Sequence, residues 1–247
     1  MPFFSIITVC YNAADTITPT LRSVKEQSFR DFEHIIQDGA SKDDTLRLVE
    51  QFGTDATRLE SKPDKGLYFA MNEALHRASG EYVVFLNAGD SFHSPDTLQL
   101  VHDAITNASV PRPGVAYGQT VLVNADRQII GPRHLTAPRQ LTFQSFANGM
   151  VVCHQAFFAR RDLTSDYNTA YRFSADFDWC IRVLQKSSGN VYIDATLIDY
   201  LHEGMTTANR KKSLRERFNI MCQYYGTIPT LFNHLRFLAR HLARKIR

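Results

Sequence analysis

Three strand-like runs, the first continuously apolar and β-branched and the third the most apolar in the chain, each stop at a polar loop, and each loop leads into a segment with helical spacing. Phe3 to Val9 ends at Tyr11-Asn12-Ala13-Ala14-Asp15, Phe32 to Gln37 at Asp38-Gly39-Ala40-Ser41, and Glu81 to Leu86 at Asn87-Ala88-Gly89-Asp90. Runs of this length without alternation predict strands buried on both faces. The segments between them carry apolar residues three or four apart: Ile17, Leu21 and Val24, with Pro19 fitting a first turn; Leu46, Val49 and Phe52, with Asp43 or Asp44 as cap; Met71, Leu75 and Ala78 within Leu67 to Ala78; and Leu98, Val101 and Ile105. Strand and helix alternating in this way predict an α/β fold with a mostly parallel sheet. Ligands of such sheets gather at the carboxyl ends of the strands, where all three polar loops fall.

The second half has a different texture. Val115–Val123 and Gln128–Ile130, joined by Asn124-Ala125-Asp126-Arg127, predict a hairpin. Residues 132–150 show no period, Ala175 to Gln185 reads as a helix, and Val191–Ile193 and Thr196–Leu201 read as two short strands. The 247 residues suit one large domain with a short appendage, and no apolar run approaches the roughly 20 residues that span a bilayer. Cys10, Cys153, Cys180 and Cys222 lie too far apart for a zinc knuckle or a disulfide framework. With no signal-peptide pattern at the start, the expected compartment is the reducing cytoplasm.

Charge is divided unevenly. The chain is +3 overall, but residues 210–247 hold ten Lys and Arg against Glu216 alone, a net of +9, which leaves −6 on the body. A basic end of this kind fits an anionic surface. Leu231, Leu235, Leu238, Leu242 and Ile246 recur at helical spacing with Arg236, Arg240, Arg244, Lys245 and Arg247 between them. Two readings stand: an amphipathic helix lying on a membrane, or an ordinary helix packed on the domain with its basic face in water. The basic residues are not interleaved with stacking aromatics, so no nucleic-acid partner is expected.

Several residues can carry chemistry. Asp90, at a strand end, suits a hard cation such as Mg²⁺ or Mn²⁺ held against phosphate oxygens; capping the next helix is its competing role, as it is for Ser91 and Ser94. In Asp64-Lys65-Gly66 the glycine admits a ligand close to the backbone and Lys65 offsets negative charge, although a solvated turn has the same composition. Asp176 and Asp178 cannot share a helix face, so one is expected to cap while the other points into a site as a general base; two dipole-stabilising acids are the alternative. His154 and His202 each follow apolar sequence, and His202, closing a strand, is the better placed for a metal or phosphate contact.

Taken together, these segments resemble the family 2 inverting glycosyltransferases of the GT-A fold, of the bacterial exopolysaccharide and lipopolysaccharide type. The likeness runs over roughly residues 3–207 and rests on Phe4-Ser5-Ile6-Ile7-Thr8-Val9-Cys10-Tyr11-Asn12, on Phe32 to Thr45 with its acidic loop, and on Asp64-Lys65-Gly66-Leu67-Tyr68 with Ala70-Met71-Asn72. The resemblance implies a Rossmann-like nucleotide-sugar half at 3–105, an acceptor half at 106–207 and a basic helical extension at 208–247. It implies that Asp38 holds the nucleotide base with Asn12, Tyr11 and the backbone after Val9 nearby, and that Lys65, Gly66 and Asn72 belong to the segment covering the donor. Asn87 and Ala88 then belong to the donor-binding residues, Asp90 lies at a divalent cation, His202 completes the metal or diphosphate site, and Asp176 is the catalytic base; His154 and Gln155 line the acceptor side. One departure is that Asn87 stands where the family usually opens its D-x-D motif with an acid, leaving Asp90 the only carboxylate there. The implied reaction moves a sugar, from a uridine diphosphate donor by preference, to a hydroxyl of a surface-polysaccharide or lipid-linked saccharide. Two alternatives share these features: a nucleotidyltransferase, which would want a Gly-rich basic loop that Tyr11 to Asp15 does not supply, and a sugar-nucleotide-binding partner that has lost turnover through Asn87.

Overall fold

The computed structural model describes residues 1–202 and 210–245, with side chains described through residue 236 except at 210. Strands β1 (Phe4–Cys10), β2 (Phe32–Asp38), β3 (Thr57–Ser61) and β4 (Tyr82–Phe85) run parallel in the order β3-β2-β1-β4. The sheet continues through β8 (Phe157–Arg160), antiparallel to β4, to β6 (Val115–Val123), which pairs in parallel with β9 (Asn190–Leu201). β5 (Ser91–Phe92) ends it against β9, and β7 (Ile129–Pro132) folds back on β6 as the expected hairpin. The sheet is therefore mixed, with its first four strands wholly parallel.

Alternate residues of β1 sort the core into layers. Phe4 and Ile6 pack with Val24, Leu98 and Val101, and Ile17, Leu21 and Val49 form a smaller cluster on Cys10 and Ile36, so α1 (Ile17–Lys25), α2 (Thr45–Phe52) and α4 (Thr97–Thr106) cover one face. Ile7 and Val9 pack instead with Met71 and Trp179, which puts α3 (Leu67–Arg77) and α5 (Ala175–Lys186) on the other. Every residue of β1 and β2 is buried; in β2 this includes Glu33, His34, Gln37 and Asp38, whose side chains find hydrogen-bond partners. α6 (Arg210–Tyr225) adds Ile220 and Met221 to the Trp179 core, and α7 (Thr227–Lys245) follows it.

Three departures from the sequence reading have local causes. β3 has one apolar residue, Leu59, and forms at the sheet's edge on backbone pairing with β2. The two short strands near residue 195 are one strand, β9, whose register against β6 shifts beside Gly118; a Cβ there would stand 2.7 Å from Leu197. After Asp90 the chain enters β5 rather than a helix, and α4 begins only at Thr97 behind Asp96. Neither Asp90 nor Ser91 is a helix cap.

Candidate active site

The carboxyl ends of β1 and β4 open into a cleft of about 590 Å³, lined by Val9, Tyr11, Asn12, Gly66, Asn87, Ala88 and Asp90 among others. A smaller cavity of about 260 Å³ adjoins it, sharing Leu67, Asn87, Gln155 and Tyr200, and holds Asp176, His154 and His202. Residues from eight separate stretches of sequence thus converge on one depression.

The loops that shape the cleft are cross-laced. Asn12 donates its backbone N–H to Ser41 Oγ (2.7 Å) and accepts Lys42 N–H at Oδ1 (2.9 Å), while Asp43 takes N–H groups of Ala14 and Thr45. Asn12 and Ala40 hold left-handed backbone (φ 46° and 62°), strain that persists because both loops fix it. Asp38 lies beneath this lacing. Its fully buried carboxylate accepts Ser41 N–H (2.8 Å), the Ser41 hydroxyl, the Ser61 hydroxyl (2.6 Å) and the Cys10 thiol (3.6 Å). It does not line the cleft, and the role it plays in this structure is to shape the loop behind Tyr11 and Asn12.

Asp90 is buried at the cleft floor, where Oδ2 accepts Gln155 Nε2–H (2.8 Å) and Oδ1 accepts Leu201 N–H (3.0 Å). Burial pushes its carboxyl up to about 7, against the opposing pull of those two donors and of Arg127. Arg127, from the β6–β7 turn, donates to Gly89 O (2.6 Å) and to the Ser91 hydroxyl, clamping the Asn87–Asp90 loop from outside. Thr20 Oγ1 braces the same loop from α1, donating to Asp90 O (2.6 Å) and accepting Gly89 N–H (3.0 Å).

Asp176 sits in the first turn of α5, half-buried, with Oδ1 accepting Phe177 N–H (2.9 Å) and the Tyr68 hydroxyl (3.2 Å). Asp178 is turned away and buried, paired to Arg182 (2.8 Å) and bonded by the Tyr224 hydroxyl (2.8 Å). The division of the two acids follows the helical separation, although neither caps α5, whose N-cap is Ser174. His154 is buried between Phe85 and Trp179, with Nε2 2.7 Å from the Tyr167 hydroxyl, and burial holds its imidazole down at about 4.

Two expected donor contacts lie elsewhere. Asn72 spends its side-chain amide on the backbone of Tyr167, giving Nδ2–H to its O (3.1 Å) and taking its N–H (2.7 Å), which ties α3 to the chain before α5. Lys65 opens onto a third cavity rather than the cleft at the ends of β1 and β4. Sequence reasoning gave no site role to Arg127, Arg133 and Arg217, which reach the site from distant stretches, nor to Tyr68, whose motif was read but whose bond to Asp176 spans 108 residues.

A metal can be tested on the donor set. Among the described residues no three His, Cys, Asp or Glu side chains come together, which is against a closed protein cage. Asn87 Oδ1, however, is buried without a hydrogen-bond partner and lines the same cleft as the Asp90 and Asp64 carboxylates. An orphaned amide oxygen and a carboxylate are hard ligands that fit a Mg²⁺- or Mn²⁺-type ion whose remaining positions are filled by phosphate oxygens. His202, exposed at the mouth of the adjoining cavity, can add a nitrogen; residues 203–209 beyond it lie outside the described ones.

Known proteins define the class. Residues 5–167 match the sequence model of Glycosyl transferase family 2, and the chain belongs to that family. It is 33% identical over 187 residues to the PGL/p-HBAD biosynthesis glycosyltransferase of Mycobacterium bovis (strain BCG / Pasteur 1173P2), an alignment covering 73% of this chain and 69% of that one. Among solved structures, Staphylococcus aureus TarS 1–349 in complex with UDP-GlcNAc superposes with a TM-score of 0.71 at 18% identity, covering 98% of this chain and 73% of TarS. The mannosyltransferase PcManGT of Pyrobaculum calidifontis, in complex with GDP-Man and Mn²⁺, gives 0.67 at 17% identity, covering 95% and 70%. The fold is that of the GT-A glycosyltransferases.

Proposed function

We propose that the chain is an inverting glycosyltransferase that carries a sugar from a nucleoside diphosphate, uridine diphosphate by preference, to a saccharide hydroxyl of a bacterial surface polysaccharide or its lipid-linked precursor. The observation that carries this reading is the pairing of two carboxylates in adjoining cavities: Asp90 on the cleft floor and Asp176 across Asn87, Gln155 and Tyr200. Inversion needs one base on the face opposite the leaving group. Asp176 takes the proton of the acceptor hydroxyl as that oxygen bonds to the anomeric carbon, and the bond from that carbon to the diphosphate breaks. Val9, Tyr11 and Asn12 hold the nucleotide, and Asn87, Ala88 and Asp90 face its diphosphate. A divalent cation bound by Asp90, Asn87 and His202 would supply charge neutralisation for the leaving diphosphate. Asp38 supports the base-binding loop, and it meets the base directly if the Ser41 or Ser61 hydroxyl gives way. The neighbours crystallised with UDP-GlcNAc and with GDP-Man and Mn²⁺ support a nucleotide-sugar donor and a cation of this kind.

The test is Asp176→Asn. Nucleotide binding is expected to stay within twofold of the parent, while transfer falls by roughly 10²–10⁴. Full activity in the variant removes Asp176 from the base role. A binding-only partner, the reading that Asn87 favours, predicts no turnover in the parent either.

Peripheral contact with the cytoplasmic face of a membrane completes the proposal. On α7, Ile228 (82% exposed), Leu231 (50%), Phe232 (62%) and Leu235 (65%) share one outward face. Thr230 is buried on the opposite side, and Asn233 there donates to Ala147 O (2.9 Å). The helix thus turns polar residues to the protein and apolar ones outward, beside exposed Lys211, Lys212, Arg215 and Arg236. That arrangement suits an anionic bilayer surface better than a helix packed by its leucines. The side chains of Leu238, Leu242, Ile246 and the last arginines lie outside the described ones.

A further inference from the structure

The third cavity, of about 620 Å³, lies on the far side of Tyr68 from Asp176 and is lined by Lys65, Tyr68, Phe69, Tyr171, Arg172 and Lys212 among others. Tyr68 is the partition: its ring borders both cavities while its hydroxyl donates to Asp176 Oδ1. We propose that this cavity is an acceptor subsite for a saccharide carrying an anionic group, a carboxylate or a phosphate, next to the hydroxyl delivered to Asp176. The proposal rests on the transferase reading above.

Charge supports it first. Three cations reach the cavity from three separate elements: Lys65 from the loop before α3, Arg172 from the loop before α5 and Lys212 from the first turn of α6. No acid lines it, and among the described residues none of the three makes an ion pair. The guanidinium of Arg172 and the ammonium of Lys212 converge on one ring, lying 5.9 and 6.0 Å from the centre of Phe173. Both cations are exposed, so an anion arriving between them would meet two positive charges that no ion pair among the described residues already neutralises. The acids bonded to its walls are each committed: Asp64 accepts Gly66 N–H (2.7 Å), Asp176 accepts the Tyr68 hydroxyl (3.2 Å), and Glu216 accepts the N–H groups of Arg172 (3.0 Å) and Phe173 (2.8 Å). Glu216 fixes where Arg172 starts.

Shape supports it second. The volume lies in the range of small-ligand sites, and Phe69, 37% exposed, and Tyr171 offer ring faces on which a pyranose can lie. A sugar whose hydroxyl meets Asp176 would extend its neighbouring substituent past Tyr68 into this cationic space.

The experiment uses the full chain and three probes of one shape: p-nitrophenyl β-glucoside, its 6-phosphate, and p-nitrophenyl β-glucuronide. Affinities are measured for the parent, for Lys212→Gln and for Arg172→Gln/Lys212→Gln at low and moderate salt, with the nucleotide-induced melting shift recorded in parallel. At least one anionic probe is expected to bind tenfold or more tighter than the neutral glucoside, less so at higher salt. That preference is expected to shrink to about threefold or less in the double variant, and part-way in Lys212→Gln, with the neutral affinity and the nucleotide shift unchanged. Preference for the glucuronide assigns the site to uronic sugars; preference for the phosphate assigns it to phosphorylated or lipid-diphosphate acceptors. Equal binding of all three probes by the parent, or a preference that survives both variants, overturns the subsite. A nucleotide shift alongside either result would leave the transferase reading standing, whereas no shift would count against that reading separately.

Discussion

Asp90 and the two buried histidines set opposing demands on the protein's response to acid. His34 and His154 are buried and held neutral, with protonation postponed to about 3 and about 4 against an ordinary value near 6.5. Unfolding lets each bind a proton below pH 6.5, so each withdraws about 1.4 kcal/mol per pH unit as pH falls from 6.5 towards 4. Asp90 works the other way, since its folded carboxyl binds a proton up to about 7 and its unfolded one only near 4; its contribution is present at low pH and lost as pH rises to 7. Two histidines outweigh one carboxyl, so the melting temperature is expected to fall from pH 6.5 to pH 4.5, and more steeply in Asp90→Asn. A flat profile in the parent would contradict the burial of both imidazoles. Gln155 is the residue that holds Asp90 in register. Gln155→Ala removes one of its two donors and is expected to lower stability by about 1.5–3 kcal/mol, read by denaturant unfolding. No change would mean that the bond is dispensable. Residue positions were partly legible beforehand: Val9, Tyr11, Asn12, Gly66, Asn87, Ala88 and Asp90 all line the cleft because loops at parallel strand ends face one edge. Asn72 and Asp38 line neither cavity, because Tyr167 backbone takes up the one and Ser41 and Ser61 the other, partners that sequence spacing does not locate.

At the scale of elements, the alternation of strand and helix up to residue 106 was readable because burial on both faces leaves an unbroken apolar run. β3 and the joining of β9 were not. An edge strand is held by backbone pairing rather than by apolar side chains, and a register shift depends on the partner strand. The β6–β7 hairpin was readable from its turn, but its purpose was not, since Arg127 acts on a loop 38 residues away. Arg127→Met is expected to free Gly89 O and the Ser91 hydroxyl and to loosen the Asn87–Asp90 loop. The melting shift produced by nucleotide with Mn²⁺ should then shrink by half or more, with less loss in the absence of metal. An unaltered shift would mean that Thr20 and the sheet alone position the loop.

For the whole molecule, the uneven charge divides the tasks: an acidic body with the cleft, and a basic end whose first helix, α6, is packed into the core and whose second, α7, presents apolar residues outward. Co-sedimentation with vesicles containing anionic lipid is expected for the full chain. It should fall at least fivefold in Leu231→Asp/Leu235→Asp, which alters only the outward face and leaves the Thr230 and Asn233 contacts in place. Equal sedimentation of parent and variant, or equal binding to neutral vesicles, would remove the membrane role. The central claim is that the cleft at the ends of β1 and β4 binds a nucleotide sugar together with a divalent cation. Its most direct test is the melting temperature in the presence of UDP-, GDP- and dTDP-sugars, each with and without Mn²⁺. A donor at a hundred times its dissociation constant adds about 2.7 kcal/mol, and so raises the melting temperature of a chain this size by about 5–10 °C. The account predicts a rise of that order for one nucleotide, uridine by preference, that needs Mn²⁺ and is lost in Asp90→Asn; no rise with any nucleotide sugar, metal present or absent, would contradict it.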